Sequence, residues 1–218
     1  MTEVVKRNWR EIILSALIRL PEQAPFYLFT VFVYTYGTTA LKFQRGFLVN
    51  AVSVAALISF VTIPLAGHLS DRIGRLTMYR IGIAVMAVWG FVYFGLYSTA
   101  IPALVFITIM LSLIPHDLQY GPQAALIAES FTGRLRYSGA SLGYQLASVI
   151  AGGPAPLIAT YLFAQTKNPY VISAYILVCC VVGFAATTLL KDRSSYDHSR
   201  EYEEQEMPAQ AVTRRAMG

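Results

Sequence analysis

Apolar residues run along this chain in six long blocks, at about residues 12–36, 47–67, 81–97, 101–127, 137–164 and 170–190. An α-helix needs roughly 20 apolar residues to cross the hydrocarbon of a bilayer. The blocks have that length, so the pattern predicts six transmembrane helices. The short polar connections between them predict an up-and-down bundle. Four blocks carry no charge; the first holds Arg19 and Glu22, and the fourth holds His116 and Asp117. From Lys191 onward the chain turns polar and lacks the apolar surface to fold alone, which predicts a mostly disordered tail, with a short helix near 201–207 as an option. The expected division is a segment at 1–11, a membrane bundle at 12–190 and a tail at 191–218.

Composition supports lipid as the solvent. Of the 218 residues 56% are hydrophobic and 13% charged, against about 25% charged in a soluble domain. The formal net charge of +5 does not point to nucleic acid, because the basic residues fall in short clusters between apolar blocks, without a basic stripe or interleaved aromatics. Their distribution does predict orientation. One side receives Lys6, Arg7, Arg10, Arg72, Arg75, Arg80, Arg134, Arg136, Lys191 and Arg193; the other receives Lys42, Arg45 and Lys167. Both termini are therefore expected on the cytoplasmic side. The N-terminal stretch MTEVVKRNWREI does not read as a cleavable signal peptide. Cys179 and Cys180, adjacent in an apolar block, read as small buried hydrophobes.

The stretch GHLSDRIGRL, residues 67–76, interrupts two greasy blocks with charge and turn chemistry. Gly67 is expected to end the second span, and Gly74 to supply a left-handed or tight turn. Asp71 can cap a helix start or pair with a helix N-terminus, and Arg72 and Arg75 can hold the loop at the cytoplasmic face. On these grounds it is either an ordinary positive-inside turn or part of a gate. The stretch resembles the loop signature of the major facilitator superfamily, G-x-x-x-D-R-x-G-R-[RK], at Gly67, Asp71, Arg72, Gly74 and Arg75. It departs at Leu76, where a second basic residue is usual and Arg80 is a partial substitute. Residues 120–159, YGPQAALIAESFTGRLRYSGASLGYQLASVIAGGPAPLIA, resemble the tenth and eleventh helices of the metabolite:proton symporters within that superfamily. Residues 17–37, LIRLPEQAPFYLFTVFVYTYG, resemble their seventh.

The resemblance implies an all-α, multi-pass fold: the C-terminal six-helix half of a transporter with twelve helices. It also implies a bacterial inner membrane, proton symport by rocking of two halves, and substrates such as mono- or dicarboxylates, shikimate-like acids, betaine or proline. Two outcomes stay open. The chain works with a missing N-terminal half or as a homodimer, or it is a truncated remnant that only makes membrane interactions.

Ionisable groups inside a bilayer cost at least about 2.5–3.5 kcal/mol each on insertion scales, so they are candidates for function. Arg19 and Glu22, three apart, share a helix face, either as a self-neutralising pair or as an anion-binding group beside a proton-accepting carboxylate. Pro21 and Pro25 beside them should loosen the helix. In the fourth block His116, Tyr120, Gln123 and Ile127 lie on one helical stripe. Tyr120 and Gln123 can hydrogen-bond substrate, and Asp117 can carry a proton or pair with Arg19; the alternative is helix–helix bonding. The proton-coupling candidates are thus Glu22, Asp117 and His116. In a 3+3 repeat the first and fourth helices are equivalent, so charges on these two fit a shared cavity. In the fifth block Gly139, Gly143, Ala147 and Ala151 make a close-packing stripe, while Tyr144 and Gln145 are candidates to face substrate. Residues 152–156, GGPAP, should bend that helix. Glu129, Arg134 and Arg136 are candidate partners of Asp71 or Arg72 in a cytoplasmic gate, or solvated ends. The stripe lacks the second histidine-like ligand that a metal would need. With no Ser-His-Asp set or catalytic carboxylate pair in a soluble-like context, neither a cofactor nor an enzyme activity is expected.

Overall fold

A computed structural model describes residues 2–129 and 136–189 of the chain. Within them the elements are helical. The first block is a bent rod of α1 (Thr2–Ile18), α2 (Leu20–Tyr27), one π-helical turn (Leu28–Phe32) and α3 (Val33–Thr39). The second and third are α4 (Arg45–Ile73) and α5 (Arg75–Tyr97). The fourth is α6 (Pro102–Leu111) followed by α7 (Ile114–Glu129). The fifth is α8 (Arg136–Ala147), a second π turn (Ser148–Gly152) and α9 (Pro154–Thr166), and the sixth is α10 (Tyr170–Leu189).

Five stretches are long and apolar enough to cross a membrane: Arg45–Ile73, Arg75–Tyr97, Pro102–Glu129, Ser141–Thr166 and Tyr170–Leu189. The first rod is not among them. It carries Arg19, Glu22, Gln23 and two prolines where its apolar run should be densest. Its breaks have backbone causes. Pro21 and Pro25 have no N–H to give to the carbonyls four residues earlier. The Pro21 carbonyl instead lies 3.5 Å from the Gln119 Nε2 donor. At Arg19 the ladder tightens, with the Glu22 amide donating to the Arg19 carbonyl at 3.2 Å. That leaves the Ile18 carbonyl to accept from the Tyr79 hydroxyl at 2.8 Å.

The loop 67–76 is shorter than its residues suggested. Gly67 does not end α4, which continues to Ile73; the whole reversal is Gly74, at φ +93°. A side chain there would be strained, whereas glycine is not. Gly67 instead serves a close approach. A Cβ built on Gly121 of α7 would lie 2.8 Å from the Gly67 amide nitrogen and 2.9 Å from the Ile63 carbonyl. Asp71 is not a cap of α5; it sits in the last turn of α4 and bonds Arg75 across the turn, at 3.2 Å to Nη2. Arg80 does not stand in for the missing second basic residue of the loop. It reaches α10, donating from Nε and Nη2 to the hydroxyl and carbonyl of Thr187, both at 3.0 Å.

α5 packs on α7 and α10, α1 on α8, and α4 on α7. Between the rods lies a core of Phe29, Phe32, Tyr36, Tyr93, Phe94 and Tyr97, all buried. Tyr36 meets Tyr97 and Phe163 edge-on, with centroids 5.2 and 4.9 Å apart, the arrangement aromatic quadrupoles favour. Leu57, Phe60, Val61 and Leu65 of α4 stay exposed, as an apolar face toward lipid requires. Ala147 and Ala151 are buried, and Gly143 is seated on Ser15 of α1, so these three members of the small-residue stripe pack helices; the surroundings of Gly139 lie outside the described residues.

Candidate functional site

The helix break at Arg19 and the prolines of α2 bring three successive polar side chains into the bundle. Arg19, Glu22 and Gln23 are 1, 2 and 8% exposed, and Asp117 and Gln123 of α7 are 0 and 1% exposed. Such groups need full partnership at this depth, and they find it with one another. Arg19 Nε donates to Gln123 Oε1 (3.1 Å), Nη1 to the Tyr144 carbonyl (2.8 Å), and Nη2 to Glu22 Oε2 (3.2 Å) and Gln23 Oε1 (2.6 Å). The guanidinium also lies 3.4 Å from the centre of the Tyr144 ring, a cation–π contact. Arg19 thus ties three helical segments together.

Glu22 is shared. Its Oε2 also accepts from Gln123 Nε2 at 2.9 Å, while its Oε1 faces His116 Nε2 at 3.1 Å. The other ring nitrogen of His116, Nδ1, faces Asp117 Oδ1 at 2.9 Å. Asp117 Oδ2 accepts from the Thr62 hydroxyl of α4. Asp117 therefore pairs with His116 and Thr62, not with Arg19 as the spacing had allowed; Glu22 and His116 link those two ions. His116 stacks on Tyr120, with centroids 5.2 Å apart, and lies 4.9 Å from the Phe26 ring.

This set opens on a cavity of about 430 Å³ whose walls include Glu22, His116, Asp117, Tyr120 and Tyr144. Arg19 and Gln123 lie behind that wall. Gln145 and Tyr144 line a smaller recess of about 230 Å³ alongside. Gln23, Thr62 and Tyr79 belong to the cluster and were not singled out from the sequence. Gln23 carried a signal, being four residues after Arg19 on the same face. Thr62 carried none, since a threonine inside a charge-free block reads as a small apolar residue. Tyr144, a candidate from the sequence, enters through its ring and also through its backbone carbonyl, which no residue type encodes.

At the other candidate site Arg75 bonds both Asp71 and Glu129, joining the α4–α5 turn to the end of α7. Glu129 thus pairs with Arg75, not with Asp71 or Arg72. Arg72 is exposed in the last turn of α4. Arg134 lies outside the described residues, and Arg136 is the first residue of α8.

The sequence model of the Major Facilitator Superfamily matches residues 12–217. The Shikimate transporter of Escherichia coli (strain K12) is 34% identical over 177 residues, covering 80% of this chain and 40% of that protein. The Inner membrane metabolite transport protein YhjE of the same strain is 34% identical over 164 residues, covering 73 and 37%. The Citrate-proton symporter of Salmonella typhi is 29% identical over 196 residues, covering 88 and 44%. The chain thus spans about two-fifths of the length of these curated relatives. No solved structure matches the chain significantly.

Proposed function

Because this chain belongs to the Major Facilitator Superfamily, we propose that it forms one wall of a carrier that moves a small organic acid or zwitterion together with a proton. One observation carries the reading: a guanidinium, two carboxylates and an imidazole are buried together at the edge of one cavity. A structural bundle gains little from burying four ionisable groups, because apolar packing of equal volume avoids their desolvation.

In this reading Arg19 and Gln123 recognise the substrate's negative group, and Tyr120, Tyr144 and Gln145 contribute the surrounding surface. Glu22, His116 and Asp117 carry the coupled proton. Asp71, Arg72, Arg75 and Glu129, with Gly67, Gly74, Arg134 and Arg136, form the cytoplasmic gate, which opens when the Arg75 pairs separate. The opposite wall is a second six-helix half or another copy of the chain, and alternating access is the rocking of the two walls about the site. The positive-inside bias supports cytoplasmic termini.

Proteoliposomes containing the chain and a partner half from one of the relatives test this. Shikimate and citrate, the compounds in two relatives' names, are the first probes. An imposed proton gradient should drive their accumulation, and a protonophore should abolish it. No gradient-driven accumulation with any partner half would overturn the reading and leave a protein of membrane interactions alone.

A further inference from the structure

Glu22 is held as a bound anion is held. Its Oε2 receives Arg19 Nη2 and Gln123 Nε2 at 3.2 and 2.9 Å, and its Oε1 faces His116 Nε2 at 3.1 Å. A guanidinium, an amide and an imidazole converging on one carboxylate is the donor set that recognises a carboxylate ligand. With Arg19 engaged by Glu22, Gln23, Gln123 and the Tyr144 carbonyl, little of the guanidinium remains for a ligand. We propose that Glu22 is a resident carboxylate occupying the seat of a ligand's carboxylate, and that a proton passed to it from His116 unseats it. This rests on the reading of Arg19 as the anion-binding group and narrows the substrate to molecules bearing a carboxylate.

The geometry of His116 supports the second half. Both ring nitrogens face carboxylate oxygens, at 3.1 Å to Glu22 and 2.9 Å to Asp117. A neutral imidazole donates through one nitrogen only. The set therefore holds one proton beyond a neutral imidazole and two carboxylates. That proton sits on the ring or on one of the two carboxylates; of the two arrangements that the transfer joins, the first has it on Nε2 and the second on Glu22 Oε1. In the second arrangement Nε2 accepts from the Glu22 hydroxyl while Nδ1–H still donates to Asp117, so the transfer needs no displaced heavy atom. Each nitrogen and oxygen keeps its bond, and the charge of the set is unchanged. What changes is the partner of Arg19: a neutral Glu22 no longer balances the guanidinium, and an incoming carboxylate does.

No other charged side chain that the packed elements bring to this set is seen among the described residues. α4 presents Thr62 and Ser59, α5 the Tyr79 hydroxyl at 3.4 Å from Gln123 Nε2, and α8 Tyr144; Tyr120 is on α7 itself. Ligand carboxylate and proton thus enter together: with Arg19 fixed positive, the set has no spare positive charge for an anion until a further proton arrives.

Truncation at position 22 tests this without transport. Glu22→Ala removes the CH₂–COO⁻ group, whose chemical equivalent is acetate. For the purified full chain in lipid nanodiscs, sodium acetate should raise the thermal unfolding midpoint of Glu22→Ala by roughly 2–4 °C relative to sodium chloride at equal ionic strength. It should do so little for the native chain at pH 8, and not at all for Glu22→Ala combined with Arg19→Met. Acetate affinity of the native chain should rise between pH 8 and pH 6, up to tenfold per unit, while that of Glu22→Ala stays flat. Should Glu22→Ala fold only in the presence of acetate, that result supports the proposal equally. Equal acetate effects on native and Glu22→Ala chains, no effect on a folded Glu22→Ala, or failure to fold with acetate as without it would each overturn it. Proton-driven uptake by the native carrier decides the broader reading separately, since a carrier with no acetate seat at position 22 can still accumulate substrate.

Discussion

Arg19 is the residue on which most of the buried polar network depends. Four acceptors from α2, α7 and α8 surround it, and removing it leaves the buried Glu22 carboxylate without its guanidinium partner. Breaking one side of a buried pair costs about 3–5 kcal/mol, whereas replacing both sides with apolar groups is often neutral. Arg19→Met should therefore destabilise the chain by that amount in denaturant titrations in mixed micelles. Arg19→Met with Glu22→Met should recover at least half of the loss. A double variant no more stable than the single would mean that the two ions do not act as a pair. Asp117 is buttressed differently, by His116 and the Thr62 hydroxyl. Thr62→Val, which keeps the shape and removes the donor, should cost about 1–3 kcal/mol in the same titration.

At the scale of the element, prolines and close contacts decide where the rods bend and how near they come. The freed carbonyls of the first rod find side-chain donors from neighbouring helices, Tyr79 on Ile18 and Gln119 on Pro21, so the bends and the interhelical bonds form together. The α4–α7 contact is set by two facing glycines. A methyl on Gly121 would press on the Gly67 backbone at 2.8 Å, and backbone cannot swing away as a side-chain end can. Gly121→Ala should cost about 1–3 kcal/mol, read as a lower unfolding midpoint. Gly46→Ala, in the first turn of α4 with open space around its Cβ position, should be neutral or gain up to about 1 kcal/mol by removing freedom from the unfolded chain. A similar loss at both positions would show that glycine content, not the crossing, governs stability here.

For the whole molecule, the helices alternate direction and place the α3–α4 and α9–α10 connections at one end, and Gly74 and Glu129 at the other. Among the described residues, Arg72 and Arg75 flank the Gly74 turn and Arg136 starts α8 at the same end. In inverted and right-side-out vesicles, cysteine introduced at Gln44 or Asn168 should react with a membrane-impermeant maleimide from outside, and cysteine at Arg72 from inside. Cys179 and Cys180 are buried in α10 and should stay silent. Labelling at Gln44 and Arg72 from the same side would refute the proposed orientation.

The six helical blocks, the breaks in the first and fifth, and the sharp reversal at Gly74 were all legible in the residues. Each follows from a local property: apolar run length, the missing proline N–H, the conformational range of glycine. That Arg19, Glu22, His116, Asp117 and Gln123 deserved notice was legible too, because charge in an apolar block is costly wherever it ends up. Their partners were not. Spacing permitted an Asp117–Arg19 pair, yet Asp117 turned to its chain neighbour His116, and helix crossing brought it Thr62 and brought Arg75 to Glu129. Sequence records which solvent each face prefers. Which buried donor meets which acceptor depends on the register and crossing of helices far apart in the chain, and those are settled only when the interhelical surfaces pack.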